Sequence, residues 1–123
     1  MSPRKILIAD DNQNIRDALT YLLEDEGYEL IVAKDGAEAL QKVREQHPDI
    51  LFLDIMMPEI NGYDVCRAVK SDPLVKETYV IMLTAKGQLA EQERGKEVGA
   101  DEYIVKPFSP LELLSKVKKH FQS

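Results

Sequence analysis

The chain has 123 residues and a mass of 14.0 kDa, which fits one domain over 1–123 with a core that hides roughly two thirds of the unfolded surface. Hydrophobic residues at 44% and charged residues at 31% exclude wholesale disorder, and 22 acids against 16 bases leave a net charge of −6 that argues against direct nucleic-acid binding. The lone Cys66 excludes an internal disulfide, two distant histidines make no structural zinc site, and no apolar run nears the roughly 20 residues of a membrane span, so the expectation is a soluble, cytoplasmic domain without membrane insertion.

In chain order, Ile6–Ala9 is a continuous apolar run. Ile15, Ala18, Leu19, Leu22 and Leu23 then follow the i, i+3, i+4, i+7, i+8 spacing of one buried helical face, and Gly27 stands where that helix ends. Leu30–Ala33 is the second run. A helix from near Asp35 buries Ala39, Leu40 and Val43, with Pro48 beyond its end. Ile50–Leu53 is the third run. The next helix extends from about Asn61 to Lys70, turns Val65, Ala68 and Val69 inward and is closed off by Pro73. Val80–Leu83 is the fourth run. A fourth helix over Leu89–Val98 has few apolar positions, and Gly95 and Gly99 lower its propensity. Tyr103–Val105 is the fifth run. The last helix opens on Ser109 as N-cap, Pro110 at the first position and Glu112 completing a capping box. Leu111, Leu114, Val117 and Phe121 form its apolar face, and Lys116, Lys118 and Lys119 suit the negative end of its dipole.

The runs are continuous rather than alternating, as strands buried on both faces read. Strand and helix alternate, so the expected fold is a three-layer, doubly wound α/β domain with a parallel sheet. Ligands in such folds sit beyond the carboxyl ends of the strands. There the chain places Asp10-Asp11, Asp54, Thr84-Ala85 and Lys106-Pro107. Three carboxylates on one edge repel one another unless a cation compensates, and magnesium takes oxygen ligands of this kind. Lys106 adds positive charge and Thr84 a hydroxyl, a set suited to a phosphoryl group.

These motifs carry a resemblance. Ile8-Ala9-Asp10-Asp11, Leu53-Asp54-Ile55-Met56-Met57-Pro58 with Asn61-Gly62, Leu83-Thr84-Ala85, Gly99-Ala100-Asp101 and Lys106-Pro107-Phe108 closely resemble the response-regulator receiver domain of two-component signalling, of the chemotaxis-regulator type. The resemblance covers Lys5 to about Phe121 and implies a flavodoxin-like (βα)5 fold with strand order 2-1-3-4-5. It implies that Asp54 takes a phosphoryl group from a sensor histidine kinase or a histidine phosphotransfer protein. Asp11, Asp54 and the Met56 backbone carbonyl would bind Mg2+ (Mn2+ as a substitute), with Asp10 acting through a water. Thr84 and Lys106 would contact the phosphoryl oxygens, and Thr84 and Tyr103 would form the switch. The Lys106–Pro107 peptide would be cis, and Met56 and Lys86 would tune phosphoryl lifetime. A changed surface of the fourth helix, fifth strand and fifth helix would control a downstream protein, with the chain a monomer or weak dimer and no enzyme in the ordinary sense.

Rival readings fit less well. A haloacid-dehalogenase-type phosphatase wants a second acid two residues after the nucleophile, where Met56 stands. A flavodoxin-like flavin binder wants a Ser/Thr/Gly-rich phosphate loop where Asp11-Asn12-Gln13-Asn14 stands. A contact-only pseudo-receiver would not need the site residues that are present. The chain reads as a stand-alone regulator or phosphorelay intermediate, with a receiver fragment of a DNA-binding regulator or hybrid kinase as the alternative. Cys66 and Met57 read as core, and His47 and His120 as solvent-facing.

Overall fold

A computed structural model describes residues 4–84 and 96–122. Five strands form one parallel sheet: β1 (Lys5–Ala9), β2 (Glu29–Ala33), β3 (Ile50–Asp54), β4 (Tyr79–Thr84) and β5 (Glu102–Val105), in the order β2-β1-β3-β4-β5. The expected order is therefore the observed one. The described helices are α1 (Gln13–Glu24), α2 (Gly36–Gln46), α3 (Gly62–Ser71) and α4 (Pro110–Gln122). Here α4 is the fifth helix of the sequence reading. Its fourth, Leu89–Val98, lies outside the described residues up to 95, and residues 96 and 97 are helical.

Strand alternation sorts the apolar runs into two cores. Ile6, Ile8, Ile50, Phe52, Ile81, Leu83 and Ile104 pack with Leu19 and Leu23 of α1 and Leu113 and Val117 of α4. Leu7, Ala9, Leu51, Leu53, Val80 and Met82 pack with Ala39 and Val43 of α2 and Val65, Cys66 and Val69 of α3. Both faces of the central strands are thus covered, which is why their sequences run apolar without a break. β2 is an edge strand and is only partly buried. Lys42 Nζ donates to the Val32 carbonyl at 2.6 Å and blunts that edge.

Helix starts follow strand ends closely. Asn12 Oδ1 accepts from the Asn14 N–H at 2.8 Å, Asp35 Oδ1 from the Glu38 N–H at 2.8 Å, and Asn61 Oδ1 from the Asp64 N–H at 3.0 Å. Three expectations need correction. Ala18 is exposed, because it lies about 100° round the helix from the buried Leu19. Leu111 is 79% exposed, and the inward residue of α4 is Leu113, which with Val117 forms an i, i+4 pair. Positions two apart on a helix are separated by about 200°, so Leu111 and Leu113 cannot share a face. His120 is half-buried and stacks on Tyr79 with ring centroids 4.4 Å apart, while His47 is exposed and caps α2 at φ 49.

Candidate functional site

The sheet order brings the ends of β1, β3, β4 and β5 together, because β1 and β3 are central neighbours and β4 and β5 follow. Asp10 leaves β1 fully buried, and Asp54 ends β3 at 6% exposure. Asp11 is exposed beside them. One carboxylate oxygen from each of Asp10, Asp11 and Asp54 lies within 4.8 Å of the other two.

Among the described residues, one ammonium faces this cluster. Lys106, just past β5, places Nζ 2.9 Å from Asp10 Oδ2 and 3.2 Å from Asp54 Oδ1. Its own N–H donates to the Thr84 carbonyl at 2.6 Å, which ties the end of β5 to the end of β4. The Lys106–Pro107 peptide bond is cis. Asp10 is fixed from several directions. Its Oδ1 accepts from the Asn12 N–H at 2.9 Å, its own N–H donates to the Ala33 carbonyl at 3.2 Å, and its carbonyl accepts from Arg16 Nη1 at 2.7 Å. Asp54 Oδ1 also accepts from the Met56 N–H at 3.4 Å.

Burial, and then the charge of Asp10, pushes the Asp54 carboxyl up to about 6, although Lys106 pulls the other way. Lys106 rises in turn. Burial alone would lower it, but hydrogen bonds and charge from Asp10 and Asp54 outweigh that. Among the described residues, Asp10 and Asp54 therefore share one ammonium, with the Asp11 carboxylate beside them. The donor set is all oxygen, crowded and under-neutralised, which fits a small hard divalent cation.

Thr84 is buried at the end of β4, two residues beyond Met82 and so on the same sheet face. Tyr103 pairs in register with Met82 and packs half-buried against the core on that face. Burial raises its hydroxyl. The Met56 side chain is 72% exposed. Lys86 lies outside the described residues. The structure thus brings Asp10, Asp11, Asp54 and Lys106 together, places Thr84 at the neighbouring strand end, and sets Tyr103 further down the sheet.

Sequence reasoning did not single out Arg16 or Asn12, which hold the Asp10-Asp11 turn. Arg16 is a lone base in the first turns of an otherwise acidic helix, a signal that could have been read. Asn12 had the plainer signal of a capping residue ahead of an apolar-periodic stretch.

Comparison with known proteins agrees with this geometry. The sequence matches the response regulator receiver domain over residues 6–118. It is 43% identical to Protein PilG of Pseudomonas aeruginosa over 119 residues, covering 97% of this chain and 88% of that protein. It is 44% identical to the DNA-binding response regulator MtrA of Mycobacterium tuberculosis over 115 residues, which are 94% of this chain and only 49% of that protein. The crystal structure of a putative response regulator from Chloroflexus aurantiacus superposes with a TM-score of 0.93 at 38% identity, covering 99% of this chain and 100% of that one. The acid cluster with its bridging lysine, the 2-1-3-4-5 sheet and these likenesses converge: the chain belongs to the response regulator receiver domain family.

Proposed function

We propose that this chain, read as one receiver domain over 1–123, is a phosphoacceptor switch that takes a phosphoryl group from a phosphohistidine onto Asp54. The donor would be a sensor histidine kinase or a histidine phosphotransfer protein. The observation that carries this reading is Lys106 Nζ lying between Asp10 and Asp54 at 2.9 and 3.2 Å, at the open end of a parallel sheet.

An Asp54 carboxylate oxygen attacks phosphorus, an O–P bond forms, the N–P bond breaks, and the imidazole leaves with a proton taken from solvent. The product is an acyl phosphate. Lys106 pairs with the phosphoryl oxygens, and the Thr84 hydroxyl donates to one of them. Asp11, Asp54 and the Met56 backbone carbonyl would hold Mg2+, or Mn2+ in its place, with Asp10 acting through a water. When bound, the ion offsets charge on the transferring oxygens. Water later attacks the acyl phosphate and restores the carboxylate. The chain thus assists only its own phosphorylation and dephosphorylation, and turns over no separate substrate.

Thr84 drawn toward the phosphoryl group leaves room on the face it shares with Tyr103. Inward rotation of Tyr103 then alters the surface of β5, α4 and the preceding helical segment, and a downstream protein reads the change. Met56 and Lys86 tune the lifetime of the signal. The setting is the cytoplasm, with the chain a monomer or weak dimer.

The likeness to PilG along 88% of that protein supports a regulator or phosphorelay intermediate built from the receiver alone. The second reading is a receiver of a larger DNA-binding regulator or hybrid kinase. It is favoured by MtrA, about half of whose length the chain spans. The mass of the native gene product separates the two.

The core experiment is incubation with acetyl phosphate, with and without magnesium. Intact mass should rise by one phosphoryl group only with magnesium present. Phosphorylation persisting in Asp54→Ala, or proceeding equally in chelator, would defeat the reading.

A further inference from the structure

The loop between β3 and α3, residues 55–61, carries Met56 and is pressed between two glycines. At Gly62 a side chain would overlap the Asp54 carbonyl oxygen and lie 2.8 Å from Ile55 Cα. At Gly36, the buried first residue of α2, a side chain would overlap the Ile60 carbonyl oxygen and lie 2.9 Å from Ile60 Cβ. Gly36 is helical, so a glycine there serves close approach rather than backbone freedom.

Neither partner yields easily. The start of α2 is pinned, since the Glu38 N–H donates to Asp35 Oδ1 at 2.8 Å and the Lys34 N–H to Glu38 Oε1 at 2.9 Å. The loop is closed at its base by the Gly62 N–H donating to the Ile55 carbonyl at 2.9 Å. Its tip is a three-residue turn in which the Ile60 N–H donates to the Pro58 carbonyl at 2.8 Å. Glu59 at the centre has φ 66, a left-handed backbone that strains a non-glycine residue. Such a conformation persists only where its surroundings hold it. The start of α2 is the support on that side.

We infer that Gly36 is a positioning residue for the metal: by letting α2 seat the Pro58–Ile60 turn, it sets the course of the 55–61 loop, whose Met56 carbonyl is the ligand proposed beside Asp11 and Asp54. The inference rests on the magnesium reading of the site and adds a residue from a different element, 18 positions ahead of Asp54.

Magnesium chloride titrated calorimetrically into the wild type, Gly36→Ala and Val43→Ala tests it. Val43 is fully buried on the same helix, in the α2/α3 core. Its truncation weakens α2 packing while leaving Gly36 and the turn unaltered in sequence. Gly36→Ala should weaken magnesium binding roughly tenfold or more, the loss expected when an outer support of a metal site is removed. Val43→Ala should bind as the wild type does. Amide spectra in chelator should show shifts over residues 55–61 in Gly36→Ala. Unchanged affinity in Gly36→Ala, or equal weakening in Val43→Ala, overturns the inference. Should Gly36→Ala not fold, Ile60→Gly is read in the same way: weakened binding supports the seat, and wild-type binding overturns it. A wild type that binds no magnesium overturns the metal reading itself, and the positioning role with it.

Discussion

The two edges of the sheet carry the same kinds of side chain and treat them in opposite ways. At the edge where strands begin, each acid of the group below meets donors. Glu102 accepts from the Tyr79 hydroxyl at 2.8 Å and from Lys116 at 2.5 Å. Asp101 accepts from the Val80 N–H at 2.8 Å and pairs with Lys70 at 2.7 Å, and Lys70 also donates to the Thr78 carbonyl. At the edge where strands end, Asp10 and Asp54 share Lys106, with Asp11 beside them. Burial pushes both Glu102 and Asp54 upward. For Glu102 the hydrogen bonds from Lys116 and Tyr79 more than offset it, and the net shift is down. For Asp54 the neighbouring Asp10 adds to burial, and the net shift is up to about 6. Among the described residues, like residues thus brace one edge and leave the other short of positive charge. The shortfall marks where a ligand is expected.

The sharpest break in that comparison is chemical. Asp54→Ala should lose all acetyl-phosphate labelling by intact mass, while Glu102→Gln should label as the wild type does. Lys106→Met comes next. Removing the ammonium that bridges Asp10 and Asp54 should slow labelling roughly a hundredfold, the scale of losing one charge-stabilising group. Labelling within a few fold of wild type would show that the bridge is structural only.

Stability should change in opposite directions at the two edges. The folded value of Asp54 lies above its ordinary 3.8. Its relative contribution is therefore fully present below that value and is lost as pH rises through about 6. Asp54→Asn should accordingly gain roughly 1–3 kcal/mol at pH 7 in chelator, and the gain should vanish near pH 4. Glu102 has a lowered folded value, so its contribution is present above its ordinary value and is lost as pH falls through the folded one. Glu102→Gln should lose roughly 0.5–1 kcal/mol at pH 7 and nothing in acid. Denaturant melts across pH 4–7 measure both, and shifts of the same sign would erase the contrast. The smallest expected effect is kinetic. Met56→Asn should shed its phosphoryl group a few fold faster than wild type, roughly 0.5–1 kcal/mol of barrier. Slower loss would show that the exposed Met56 side chain does not hinder water.

Much of this was legible in the chain. Continuous apolar runs such as Ile50–Leu53 announce strands covered on both faces, and the residues that follow them announce the site. Asp10, Asp54 and Lys106 were legible because a parallel sheet places every strand end on one edge, whatever the side-chain details. The inward face of α4 was not. Leu111, Leu113 and Leu114 offer two apolar faces to a periodicity argument, and packing against β5 and α1 selects Leu113. His120 was misread as solvent-facing because its partner, Tyr79, lies on another element.

Over the described residues, the sequence by itself determined which segments are strand or helix and which side chains stand at strand ends, since both follow from local periodicity and turn chemistry. Only the tertiary structure decided that Lys106 meets Asp10 across 96 positions, that Asp101 and Glu102 each meet a lysine while Asp10 and Asp54 share one, and that Gly36 must have no side chain. Those outcomes depend on distances between elements far apart in the chain. Close packing sets such distances, and local preferences do not encode them.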